Sequence, residues 1–250
     1  MISNLLNRIP QILLMLPAVL LSLSVHEAAH GYVAYKLGDP TARNLGRLTL
    51  NPAKHINPIG FISMLLFSVG WANPVPINTR RFKNPKRDMA ISAAAGPISN
   101  FCLAIIFAIV LRLVMIPTSQ ILNSSNNIYL DDLISNPSFI ILSLIVTILY
   151  LGIALNLNLM FFNLIPLPPL DGSRIAYLFL PTNLYFKIMQ YERYIMIAFI
   201  VLFATGIIDI PLSTLTGGIT NFLYKVLGMP EFDLMYTVYT VFSRLPTFSL

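Results

Sequence analysis

The sequence predicts an all-α polytopic membrane protein, with a small membrane-associated strand or re-entrant region at about residues 43–72. Two observations predict this class. Of 250 residues, 56% are hydrophobic and 10% charged, and the mean hydropathy is +0.74. A soluble domain carries about 25% charged residues. The apolar residues also gather into runs close to the ~20 residues a helix needs to cross ~30 Å of hydrocarbon. The net charge of +6 does not indicate a nucleic-acid partner. Most Lys and Arg fall in one loop region, where they read as a topology signal. Cys102 is the single cysteine, which excludes an intrachain disulfide and a cysteine-built metal site.

The first helix is expected from about residue 10 to Leu37. Its start, MISNLLNRIPQILLMLPAVLL, has the make-up of a signal peptide. The apolar character continues through Val33 and Ala34, so the stretch reads as a retained span, with Pro17 a candidate kink. Gly38-Asp39-Pro40 stops it. Residues 43–72 alternate briefly, turn at Asn51-Pro52, and give a 12-residue apolar stretch from Gly60 to Trp71. That is too short to span, which predicts a strand pair or a re-entrant segment. A basic loop, RRFKNPKRD, covers 80–88. A second long run goes from Met89 to Met115, a polar loop from 117 to 137, and a third run from Ser138 to Ile165, followed by PLPPLDG at 166–172. A fourth run from Tyr194 to Ile210 predicts an additional transmembrane helix, and the tail after Pro211 is mixed. The chain reads as one integral membrane domain over 1–250, with a hydrophobic extension over about 185–250.

Charge sets the orientation. The region between the first and second runs holds Lys36, Arg43, Arg47, Lys54, Arg80, Arg81, Lys83, Lys86 and Arg87, whereas no Lys or Arg occurs from Ile116 to Asn136. By the positive-inside rule the basic side is cytoplasmic and the 116–137 loop is outside.

The first run ends in His26-Glu-Ala-Ala-His30. Histidines four apart share one helix face. Two neutral imidazoles at that spacing suit one Zn²⁺, and Glu27 beside them could act as general base toward an attacking water. Ionisable groups inside a membrane cost ~2.5–3.5 kcal/mol each on insertion scales. The competing explanation is a polar helix–helix contact, or a helix end at the interface. A catalytic zinc takes three protein ligands. Asp131, Asp132 and Asp209 fall on the outer side. Asp171 returns to the same side as His26 and His30 and is the candidate third ligand. It could instead cap the helix that follows.

These motifs in this order resemble the site-2 protease family of intramembrane zinc metalloproteases. His26-Glu27-Ala-Ala-His30 pairs with Asn163-Leu-Ile-Pro-Leu-Pro-Pro-Leu-Asp171-Gly172. Gly96-Pro-Ile-Ser-Asn100 lies between them, and Gly70-Trp-Ala-Asn-Pro-Val-Pro76 is similar to the compact bacterial and archaeal branch. The resemblance covers roughly residues 20–180. It implies a three-helix catalytic core within about 10–180, one zinc per chain on His26, His30 and Asp171, and Glu27 activating water. The implied activity is peptide-bond hydrolysis in transmembrane or signal-peptide-like substrates, near the cytoplasmic face of a bacterial or archaeal plasma membrane.

By the same analogy Asn163 would contact the substrate backbone or the developing oxyanion, with helix capping or packing as its alternative. Asn100 is a weaker substrate-side candidate, since Gly96 and Asn100 could simply let helices pack closely. His55 lies on the metal's side of the membrane, as a substrate-gating group or an ordinary interfacial histidine. An extended substrate could pair with a strand edge in 43–67. The competing function is a non-proteolytic membrane protein, either a metal-binding carrier or an inactive homologue that binds transmembrane helices.

Overall fold

The computed structural model describes residues 9–67, 72–124 and 137–229. In chain order its helices are α1 (Ile9–Lys36), α2 (Thr41–Asn44), α3 (Pro58–Phe67), α4 (Pro85–Ser124), α5 (Pro137–Leu164), α6 (Asp171–Tyr177), α7 (Thr182–Gln190), α8 (Glu192–Ala204) and α9 (Asp209–Val226). Among the described residues, three are long and apolar enough to cross a membrane, over Leu13–Lys36, Pro85–Met115 and Ile141–Leu164. These are α1, α4 and α5.

α4 is the central element and packs on α1, α5 and α6. Its inward face carries Ala93, Ala104 and Ala108, all buried. Small residues let helix backbones approach closely where lipid supplies no hydrophobic drive. Phe107 lies directly over Gly152 of α5, where a Cβ would overlap its ring. The opposite face of α4 exposes Ile91, Ile98, Ile106, Ile109 and Leu113, a stripe at helical spacing. Ser92 and Asn100 are fully buried on the inner side. An apolar exterior, with the few polar side chains kept inside, is the pattern expected where lipid is the solvent.

α1 ends where the sequence places its stop. Gly38 adopts φ +108, a left-handed backbone that glycine tolerates without a Cβ clash. Asp39 behind it is fully buried and ties two segments together. Its carboxylate accepts from the backbone N–H and hydroxyl of Thr41 and, at 2.6 Å, from the N–H of Asn78. Arg47 donates to the carbonyl of Asn73 at 2.7 Å, and Asn57 to the side chain of Asn73 at 3.0 Å. The 72–78 segment is thereby pinned against α1. Gly31 makes the approach possible, since a Cβ there would sit 2.7 Å from Leu48 and 3.0 Å from Val75.

Three expectations are revised. Residues 43–72 form no strand pair among the described residues. Most of the short apolar stretch is helix α3, and a single antiparallel bridge joins Ile56 to Ala72. A short apolar run has no period that separates strand from helix, and the pairing edge expected within 43–67 is not present there. Helix α4 continues past Met115 to Ser124, into the stretch read as loop. The fourth apolar run is divided at Gly206, φ +73, between the 13-residue α8 and α9. The C-terminal part therefore adds short helices instead of a fourth of spanning length among the described residues. α9 docks on α5, with Thr216 donating to Asn158 at 2.7 Å. Trp71, Asp131, Asp132 and the tail beyond 229 lie outside the described residues.

Candidate metal centre

His26 and His30 lie one turn apart on α1 with their rings edge to face at 87°. His26 is ten residues before the end of the helix at Lys36, about 15 Å along its axis. The two Nε2 atoms are 3.0 Å apart. Asp171 Oδ2 lies 3.1 Å from His26 Nε2 and 3.2 Å from His30 Nε2. Three side chains from two helices distant in sequence, α1 and α6, thus converge on one point.

The position of Asp171 has a local cause. It is the first residue of α6, and Gly172 follows it with no room for a side chain, since a Cβ would overlap the carbonyl oxygens of Leu164 and Ile165. α6 starts hard against the end of α5, which turns Asp171 toward the histidines. The capping alternative is not what forms. Leu170 is the N-cap, without a side-chain hydrogen bond.

The other ring nitrogens explain what the cluster can hold. His30 Nδ1 lies 2.8 Å from the backbone carbonyl of Ser92, which can only accept, so that nitrogen carries the proton. Ser92 returns a bond from its hydroxyl to the His30 carbonyl at 3.1 Å. His26 Nδ1 lies 2.5 Å from Asn100 Oδ1. Both Nε2 atoms therefore turn lone pairs toward each other and toward a carboxylate. Two lone pairs and an anion at these distances repel unless a cation lies between them. The separations of 3.0–3.2 Å are close to the ~3.3 Å between ligands of a tetrahedral zinc with bonds of ~2.0–2.1 Å. Among the described residues, His26, His30 and Asp171 form the group of acids and histidines arranged to hold a metal ion. Gly96 leaves them space, because its Cβ would overlap His30 and lie 2.6 Å from His26 Cε1.

Glu27 follows His26 and accepts a 2.7 Å hydrogen bond from the backbone N–H of Val75. Val75 stands between Pro74 and Pro76, neither of which has an N–H. It is the one backbone donor of that tripeptide, aimed at the carboxylate.

The remaining sequence candidates separate. Asn100 is fully buried and bonded to His26, which puts it behind a candidate metal ligand. Asn163 donates to the Leu159 carbonyl of its own helix at 3.0 Å, a helix-internal bond. His55 is buried with Nε2 2.8 Å from the Thr49 carbonyl. Its own carbonyl accepts from Asn73, so it helps to hold the 72–78 segment and does not join the metal group. Sequence reasoning missed Ser92, Val75 and Asn156. The first two act through backbone atoms, which leave no trace in a residue code. Asn156 was visible as a polar residue within an apolar run.

A protein-family model described as "Peptidase family M50" matches residues 14–204. The Bacillus subtilis (strain 168) protein "Putative zinc metalloprotease YwhC" is 42% identical over 187 residues, covering 75% of this chain and 78% of that protein. Two Rip2 proteins with the same description are each 26% identical. The one from Mycolicibacterium smegmatis aligns over 64% of this chain and 54% of its own length. The one from Mycobacterium tuberculosis aligns over 61% and 52%. This chain therefore spans about half the length of the Rip2 proteins. No solved structure matches it.

Proposed function

The chain belongs to peptidase family M50 and is a zinc-dependent metalloprotease, and from that premise we propose which residues do the work and on what substrate. His26, His30 and Asp171 hold a single zinc ion, and Glu27 is the general base. The substrate is a transmembrane or signal-peptide-like segment, cut near the cytoplasmic side of a bacterial or archaeal plasma membrane. The observation that carries this reading is the convergence of two Nε2 atoms and a carboxylate oxygen within 3.2 Å of one another, with both Nδ1 atoms already committed elsewhere. The cytoplasmic side is supported by Lys36 closing α1 and by Lys86 and Arg87 opening α4, the ends nearest the cluster.

When bound, zinc would lower the pKa of a water toward ~7 and polarise the scissile carbonyl. Glu27, with one carboxylate oxygen held by Val75, takes the proton of the attacking water. It then delivers that proton to the leaving amide nitrogen. Asn100 and Ser92 hold the two imidazoles in register while this happens. The buried site requires the substrate backbone to be locally unwound, because helical peptide bonds are shielded by their own hydrogen bonds.

The test uses the purified protein with a model transmembrane peptide. Wild type should carry one zinc per chain and cleave, Asp171→Ala should lose metal and cleavage together, and Glu27→Gln should keep the zinc and lose cleavage. Full cleavage by Glu27→Gln, or full zinc content in Asp171→Ala, overturns the assignment.

A further inference from the structure

We propose that Asn156, in the middle of α5, is a positioning residue for the metal centre: acting through Asn100, it fixes which ring nitrogen of His26 is free to bind metal. The inference rests on the reading of His26 as a zinc ligand.

The path is a chain of three buried hydrogen bonds across the three long helices. Asn156 Nδ2 donates to the Gly152 carbonyl at 2.8 Å. Asn100 Nδ2 donates to Asn156 Oδ1 at 2.8 Å. His26 Nδ1 meets Asn100 Oδ1 at 2.5 Å. Both asparagines are fully buried, where an unmatched amide costs heavily.

The direction of the chain follows from its far end. A side-chain amide presents two donors on one atom and two acceptors on the other, and turning it over exchanges them. The Gly152 carbonyl accepts only, so Asn156 must aim its nitrogen there and its oxygen at Asn100. Asn100 must then donate to that oxygen, which leaves its own oxygen facing His26. An oxygen facing Nδ1 calls for the proton on Nδ1, which in the neutral ring leaves the Nε2 lone pair for a cation shared with Asp171, 3.1 Å away. Turning over either amide would bring oxygen against oxygen at Gly152 or at Asn156. A backbone carbonyl on α5 therefore sets the tautomer of a ring on α1, through one asparagine on each of α5 and α4.

Asn100 alone could not do this. Without Asn156 its amide has no bias. The turned-over form would place Nδ2 against His26 and draw the ring proton to Nε2, which cannot then ligate. Gly152 also permits the contact, because its missing Cβ lets α5 close on Phe107 of α4.

The test has two readouts that do not depend on cleavage. The first is the ring-nitrogen ¹⁵N shifts of His26 in the metal-free protein at alkaline pH. The second is the zinc dissociation constant by chelator competition. Metal-free wild type should carry the His26 proton on Nδ1, and a proton on Nε2 overturns the proposal without recourse to any variant. Asn156→Leu should weaken zinc binding by about 10- to 100-fold, the range for partners of metal-bound histidines, and move the His26 shifts toward the Nε2–H form. Unchanged affinity and shifts overturn the proposal. The double variant Asn100→Asp/Asn156→Leu places an acceptor-only carboxylate against Nδ1, so it should recover most of the lost affinity. Failure to recover would assign Asn156 to packing alone. If wild type binds no zinc, the metal reading fails, while the His26 shifts still decide the relay.

Discussion

Gly96→Ala tests the geometry of the metal centre most directly. A methyl at this position would sit 2.6 Å from His26 Cε1 and overlap His30 Cε1 and Nε2, where ordinary contact begins at 3.4 Å. The rings must retreat by about 0.8 Å at His26 and more at His30. Zinc–ligand distances tolerate about 0.2 Å, so the displacement is several times what the site can absorb. Two effects bear on overall stability. Alanine favours a helix over glycine by about 1 kcal/mol, and overpacking costs about 1–3 kcal/mol. The net loss of fold stability is therefore about 0–2 kcal/mol, which leaves the protein folded. Zinc affinity should fall by at least about tenfold, or 1.4 kcal/mol, with cleavage falling in step. Chelator competition on the purified variant measures the affinity, and a thermal melt in the presence of chelator measures the stability of the fold. Wild-type zinc affinity in Gly96→Ala would refute the argument, since it would mean that the rings do not occupy the space the structure gives them.

Two further outcomes follow from close contacts. Gly172→Ala should be more damaging than Gly96→Ala, because its Cβ meets the Leu164 and Ile165 backbone carbonyls, which cannot rotate away. α6 must shift and carry Asp171 with it, so zinc content should drop, and a normal zinc stoichiometry would count against that account. Val75→Pro removes the N–H that holds Glu27 while Val75→Ala keeps it. Zinc should be retained in both and cleavage should fall only in the proline variant, so equal peptidase rates would show that this hydrogen bond does not serve the base.

How much of this was legible in the sequence depends on which atoms carry the interaction. The spans followed from apolar runs, because the bilayer sets a length that sequence must meet. His26, His30 and Asp171 could be grouped by ligand type and by side of the membrane, with no knowledge of contacts. The count of helix crossings removed Asp131, Asp132 and Asp209 and left Asp171 on the right side, and the family resemblance implied it as the third ligand. The short elements were less legible. The stretch after Asn57 is apolar and brief, and helix α3 and a strand share that signature. The fourth apolar run showed no break in hydropathy, yet one left-handed residue, Gly206, divides it. Gly96 was read as a packing residue between helices. It is a packing residue, but the partners it makes room for are the imidazoles.

The least legible part is what holds the site in order. His30 and Glu27 are oriented by backbone atoms, which no side-chain motif names, and His26 by a motif residue whose direction is set outside the motif. His30 is set by the Ser92 carbonyl, Glu27 by the Val75 N–H, and His26 by an amide whose direction is fixed two residues further on. Sequence patterns register side-chain chemistry at fixed spacing. The contacts between helices and loops join positions 48 to 74 residues apart, and the three lines end on backbone groups at Ser92, Val75 and Gly152. A hydrophobic surround raises the importance of that order. Water at the surface can rescue an unmatched donor, but at the depth of His26 nothing replaces a lost partner. The Ser92 carbonyl and the Asn100–Asn156 pair form two supports for the candidate metal site, and losing either contact would leave the ligands present but free to turn.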